Sequence, residues 1–309
     1  MQWIFKAAAT LILSLLVIIP LVSYWVGDYI FARTLRWPVK IPFVNNRENL
    51  SRVRHEPAKT SFSFVVLGDI QCGFRTLSRH IFPSCEGRYS FAVQTGDFIS
   101  HANEGHYALA LYEIKQCRLG IPLFVVPGNH DIGGKDPGLF ERHFGEKQFH
   151  FLWSGCLFIF LDNSTVAPYT MQFQWLERTL QENHGRVRHT FVFMHRSPLI
   201  DRGGERKKGD NYAPFFRIAK RFHIDYVFSG HVHGFYLIDL DGTRYVANGA
   251  ESLMEGIQVM PSYLTSVAVT PEGISDQKIT IQASLPERVY ARLLDGLVAH
   301  IYPCLRSFL

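Results

Sequence analysis

The chain has 309 residues, of which 47% are hydrophobic and 19% charged, and a formal net charge of +5. That balance is globular and excludes wholesale disorder, while the charge is too mild to argue for a nucleic-acid partner. The five cysteines, Cys72, Cys85, Cys117, Cys156 and Cys304, are odd in number and irregularly spaced. This pattern excludes a disulfide framework or a Cys-x-x-Cys zinc site and leaves core or neutral thiols.

Residues 7–27 contain no charged side chain. A helix needs about 20 apolar residues to cross a bilayer, so residues 1–30 are expected to be a retained membrane anchor, kinked at Pro20 and bounded by Tyr24 and Trp25 at the interface. A cleaved signal peptide is the alternative, although the run is long for one and shows no clear Ala-x-Ala site. Arg33, Arg36 and Lys40 follow, so the positive-inside rule favours a cytoplasmic body. Residues 31–60 read as a basic and polar linker, suited to anionic headgroups. At the other end Val289, Leu293, Leu297 and Ile301 recur at helical spacing. Residues 285–309 are therefore expected to be an amphipathic helix, either packed on the domain or lying in a membrane interface.

Between these ends, residues 61–284 read as one domain. Strands are predicted at 61–67, 89–95 and 123–126, with helices near 74–82 and 106–118 between them. Residues 149–153 and 156–161 pair around Ser154-Gly155. A helix is expected over 172–183, then strands at 190–194 and 226–229. Asp241-Gly242 joins a hairpin of 236–239 with 243–247, and 264–269 with 278–282 is the last pair.

Five predicted strand exits carry the same kind of residue: Asp69 with Gln71, Asp97, Asn129 with His130 and Asp131, His195, and His231 with His233. Polar groups after a hydrophobic strand are how an α/β protein presents chemistry at strand ends. Carboxylate, imidazole and amide oxygen together are the ligand set of borderline divalent metals. His231 and His233, two apart, are expected to point the same way and to bind one metal or two.

In order and approximate spacing, Gly68-Asp-Ile-Gln71, Gly96-Asp-Phe98, Gly128-Asn-His-Asp131, Met194-His195 and Gly230-His-Val-His233 resemble the motifs of the calcineurin-like metallophosphoesterase family. The resemblance covers about residues 62–250. It implies an α/β fold, a four-layer αββα sandwich of two mixed β-sheets flanked by helices, with the metal centre at the strand ends. It further implies that Asp69 and His233 hold a first metal, that Asp97 bridges, and that Asn129, His195 and His231 hold a second. His130 would stay off the metals and assist the leaving oxygen, with Asp131 as its orienting partner.

The implied chemistry is hydrolysis of a phosphate ester or pyrophosphate bond by a hydroxide that two divalent metal ions activate, with Mn²⁺ foremost and Fe, Zn or Mg as alternatives. One position departs from the family pattern, which reads Asp-x-His where this chain has Gln71. An amide oxygen is a harder and weaker donor than imidazole. The substitution predicts a weaker first site or a harder ion such as Mn²⁺ or Mg²⁺; the alternative is that Gln71 is no ligand.

His101, Asn103, Arg196 and the basic loop at 201–209 follow the motifs closely and would line the mouth of the site or remain solvated. The expected partners are a phosphorylated small molecule or a lipid-linked substrate and, through the amino-terminal helix, a membrane. Nucleic acid is not expected, because no aromatic-basic platform is present. The competing function is a metal-poor scaffold that keeps the fold without hydrolysis.

Overall fold

The computed structural model describes residues 41–71, 77–85, 87–116, 119–165, 169–200, 210–249 and 262–282, with Ser14 and Ser284. The expected anchor (except Ser14), the first part of the linker, the basic loop at 201–209 and the helix at 285–309 lie outside these residues. Among the described residues, no helix is long and apolar enough to cross a membrane.

Two mixed sheets face each other. In the first, β1 (Phe62–Leu67), β2 (Phe91–Gln94) and β3 (Leu123–Val125) run parallel, and β10 (Ser262–Thr270) joins β1 antiparallel with β11 (Gly273–Ile281) outside it. The second has the order β4 (Phe149–Trp153), β5 (Cys156–Phe160), β6 (His189–Arg196), β7 (Tyr226–Gly230), β9 (Thr243–Asn248), β8 (Phe235–Leu240). Here β5, β6, β7 and β9 are parallel, and the edge strands β4 and β8 run antiparallel to their neighbours.

The alternation of side chains along each strand explains the layers. In β1, Phe62, Phe64 and Val66 enter the core between the sheets, while Val65 and Leu67 enter the core on the outer face. The middle core is unusually aromatic. Phe64 stacks on Phe91 at 5.0 Å and meets Phe191 and Phe158 of the facing sheet edge-on at 5.2 and 5.9 Å. Both faces of the central strands are covered, which is why they read as continuous apolar runs.

Outside the first sheet lie α2 (Glu104–Gln116) and α3 (Leu139–Phe144), contributing Tyr107, Leu111, Phe140 and Phe144. Outside the second lie α4 (Thr170–Asn183) and α5 (Ala213–Phe222), contributing Phe173, Leu176 and Phe215. Cys85 and Cys156 are buried, as expected of core cysteines.

The linker expectation needs correction. Residues 46–55 form a helix, α1 (Asn46–His55), capped by the Asn45 side chain, which accepts from Glu48 N–H at 3.3 Å. Asn46 is fully buried and acts as a substitute strand for the open edge of β3. Its Nδ2 donates to Val125 O at 2.8 Å, and its Oδ1 accepts from Val125 N–H at 2.9 Å. Asn49 Nδ2 donates likewise to Leu123 O at 2.9 Å. This segment therefore belongs to the domain and braces the strand that leads into Asn129 and His130.

Candidate metal centre

All five motif segments meet at the carboxyl ends of β1, β2, β3, β6 and β7. Their backbones are packed too closely for side chains between them. A Cβ on Gly96 would fall 2.6 Å from His195 Nδ1, and one on Gly128 would collide with the backbone N and Oδ1 of Asp97. The glycines before Asp97 and Asn129 thus let two strand exits touch. Asp69, Gln71, Asp97, His231 and His233 all adopt left-handed backbone, with φ of 54, 34, 54, 71 and 45°. Strain of this kind survives only where surrounding structure enforces it, and it clusters at functional sites.

The polar atoms form two triads that share one carboxylate. Asp97, His195 and His231 bring ligand atoms within 4.8 Å of one another, as do Asp69, Asp97 and His233. His231 and His233 do not point the same way, contrary to the expectation for a continuing strand. β7 ends at Gly230, and the left-handed turn sends His231 toward His195 (Nδ1 to Nε2, 3.2 Å) and His233 toward Asp69 (Nε2 to Oδ1, 3.8 Å). β6 continues through His195 to Arg196, and its pairing with β7 shifts register between Phe193 and Arg196. A bulge of this sort re-aims a side chain.

Hydrogen-bond polarity shows what the cluster can hold. His195 Nδ1 donates to Thr95 O at 2.9 Å, so in the neutral ring the Nε2 lone pair turns inward. That lone pair meets Asn129 Oδ1 at 3.0 Å, His231 Nδ1 at 3.2 Å and an Asp97 oxygen at 3.4 Å. His195 Nε2 and the oxygens of Asn129 and Asp97 form a donor set that a shared cation would satisfy. Donors about 2.0–2.2 Å from a shared metal stand roughly 3–3.5 Å from each other, which is the spacing found. Gln71 adds a second sign. It is almost fully buried, its Nε2 lies 3.4 Å from Asp97 Oδ2, and its Oε1 has no hydrogen-bond partner among the described residues. The residues present fit divalent cations.

The ionisation pattern agrees. Burial works against a charged His195, but the Asp97 and Asp69 carboxylates outweigh it and push the imidazole up to about 9. Asp97 is also buried, yet His195 and His130 hold it well below the usual carboxylate range. Burial raises Asp69 well above that range. The Asp97 and Asp69 carboxylates thus favour positive charge at this position.

His130 stands slightly apart. Its Nδ1 donates to Ser100 O at 2.7 Å, and its Nε2 is 4.0 Å from Asp97 Oδ2, with the side chain a quarter exposed. The expected orienting role of Asp131 is not what the structure shows. Asp131 Oδ1 accepts from Phe98 N–H at 2.9 Å and Ile99 N–H at 3.1 Å, and Oδ2 accepts from Gly128 N–H at 2.8 Å. No hydrogen bond joins it to His130. Asp131 ties the Asp97 loop to the Gly128 turn; the Ser100 carbonyl orients His130.

Asn163, part of the Asp162-Asn163 feature that also resembles the family but to which the sequence assigns no role, positions His195 and Arg196. Its Oδ1 accepts from the His195 and Arg196 N–H groups at 2.9 Å each, and its Nδ2 donates to Arg196 O at 2.8 Å. Asp-Asn after a predicted strand was the signal available. Of the neighbouring residues, His106 Nδ1 pairs with Asn103 Oδ1 at 3.0 Å and its ring meets His101 edge-on at 5.1 Å.

The family model described as calcineurin-like phosphoesterase matches residues 62–235. The chain belongs to this family. It is 32% identical over 130 residues to serine/threonine-protein phosphatase CPPED1 of Bos taurus, covering 37% of this chain and 42% of the relative. It is 26% identical over 173 residues to 3′,5′-cyclic adenosine monophosphate phosphodiesterase CpdA of Escherichia coli (strain K12), covering 52% and 60%. The chain therefore spans about half the length of the curated relatives it matches. A dimetal phosphatase from Danio rerio superposes with a TM-score of 0.54 at 14% identity, over 72% of this chain and 99% of that one, and shares the fold.

Proposed function

We propose that this chain is a metal-dependent phosphohydrolase whose centre takes two divalent cations, Mn²⁺ foremost. The carrying observation is that one carboxylate, Asp97, belongs to both triads of candidate ligands. Asp69, His233 and Gln71 would hold the first cation, and Asn129, His195 and His231 the second. When bound, the pair supplies Lewis-acid stabilisation of phosphoryl oxygens and lowers the pKa of a water.

The chain's own residues supply the rest. Asp97 Oδ1 accepts from His130 N–H at 2.8 Å, so the bridging carboxylate also fixes where His130 begins. His130 stays outside both triads, and its Nδ1 contact to Ser100 O leaves Nε2 turned to the site. A protonated His130 would then pass its Nε2 proton to the departing oxygen while Ser100 O steadies the ring. No covalent nucleophile from the chain is required: water attacks phosphorus as the ester oxygen departs with the His130 proton.

We infer that the uncharged run at residues 7–27 tethers this centre to a membrane, body inward, and that a lipid-linked phosphoester is among its substrates. Partition of the full chain into the carbonate-resistant membrane fraction tests the tether. The activity is tested with Mn²⁺-loaded protein on aryl phosphate monoesters and diesters, before and after chelation, beside Asp97→Asn and His130→Asn. Turnover that survives chelation or both substitutions overturns the reading; metal binding without any turnover leaves a scaffold.

A further inference from the structure

Arg196, the last residue of β6, has its backbone pinned on both sides by Asn163. Its guanidinium makes two long contacts, Nε and Nη2 to Ser164 O at 3.4 Å each, and one closer contact, Nη1 to His231 Nε2 at 3.1 Å. A guanidinium has only N–H donors. His231 must therefore offer its Nε2 lone pair to Arg196, and in a neutral ring the proton then sits on Nδ1. Yet Nδ1 is the atom turned toward His195 Nε2, 3.2 Å away, inside the Asp97–His195–His231 triad.

One neutral imidazole has one lone pair. A cation held by His231 Nδ1 moves the proton to Nε2, and two N–H donors would then face each other at the Arg196 contact. The bond to Arg196 and the bond to the second cation exclude each other. We propose that loading the second cation expels the Arg196 guanidinium from His231 and makes it an anion-binding arm that takes a phosphoryl or other anionic oxygen of the substrate. The proposal rests on the phosphohydrolase reading of this site. On His231 itself the proton count is unchanged, since the proton lost from Nδ1 reappears on Nε2. The freed group is always charged and has the planar fork that suits phosphate. Its pinned backbone keeps it beside the cation that an anion would approach.

The expected signature is two affinities that move in opposite directions. Arg196→Gln removes the competing donor and offers an amide oxygen that can accept from His231 Nε2–H. In calorimetric titrations of the full chain, Mn²⁺ should bind one of two sites about threefold to tenfold tighter in this variant. Inorganic phosphate should bind the Mn²⁺-loaded variant at least about tenfold weaker than the loaded wild type. Arg196→Lys keeps charge and donor, so it should leave Mn²⁺ affinity near wild type while weakening phosphate. Weaker Mn²⁺ binding in Arg196→Gln would show that Arg196 merely supports His231 and would overturn the proposal, as would unchanged phosphate affinity. Opposite shifts without ester turnover would defeat the enzyme reading alone; turnover with shifts of one sign would defeat the Arg196 proposal alone.

Discussion

Gln71→Met is the substitution that most directly tests the first metal position, because the two roles open to Gln71 predict effects of opposite sign. Gln71 Oε1 is buried without a partner among the described residues, on a residue only 2% exposed. If it is not a ligand, it is an orphaned acceptor whose desolvation costs about 1–3 kcal/mol. Replacing it with a thioether of similar length would then raise stability by that amount and leave metal binding alone. If Oε1 completes the first site beside Asp69, Asp97 and His233, its loss removes one polar bond to a cation. Such a bond contributes about 1.5–3 kcal/mol, which corresponds to roughly 10- to 150-fold in affinity.

The assay is a Mn²⁺ titration by calorimetry with stoichiometry from elemental analysis, paired with urea unfolding in chelator. We expect one tight and one weakened equivalent in Gln71→Met, and Gln71→His should restore or exceed wild-type affinity. Two undiminished equivalents together with a gain in stability would refute ligation by Gln71.

Asp131→Ala should lower stability by about 3–5 kcal/mol, since it strips three backbone N–H groups of their acceptor, whereas His130→Asn should leave unfolding nearly unchanged and cut kcat about 10²–10⁴-fold; urea unfolding and turnover read the two apart. Asn46→Ala should cost about 2–4 kcal/mol by exposing the edge of β3, visible as a lower urea midpoint with an unchanged slope. Metal binding should depend on pH through His195, which is protonated below its raised pKa of about 9 and neutral above it. A cation must displace that proton, so apparent Mn²⁺ affinity should rise about tenfold per pH unit between roughly 6.5 and 8.5; a flat profile would sink this account.

Metal chemistry makes itself legible because it dictates residue types. Asp69, Asp97, Asn129, His195, His231 and His233 could all be picked out at predicted strand exits, and the glycines beside them mark where backbones must touch. The strands were legible for a related reason: burial on both faces leaves apolar runs between short polar turns. What stayed hidden were roles set by tertiary partners. Asp131 lies next to His130 in sequence, and adjacency suggested an orienting carboxylate. Its acceptors in fact serve Phe98 and Ile99, more than thirty residues away. α1 was hidden because half of its buried face is the amides of Asn46 and Asn49, with Leu50 and Val53 as the apolar half, so hydropathy registers a polar linker.

The same distinction separates the two kinds of residue around the centre. A ligand is constrained by the cation it holds, and its identity survives in the sequence as a motif. Asn163, Thr95 and Ser100 act through backbone groups or on backbone groups, and many residue types offer a carbonyl. Thr95 O and Ser100 O set the tautomers of His195 and His130, yet neither side chain is needed for it. Arg196 falls between the two classes: its position beside His195 is evident from sequence, but its donor-only guanidinium acquires meaning only from the atom it faces. The 3.1 Å contact to His231 Nε2 makes Arg196 and the second cation competitors for one imidazole, a relation that composition, spacing and motif do not encode.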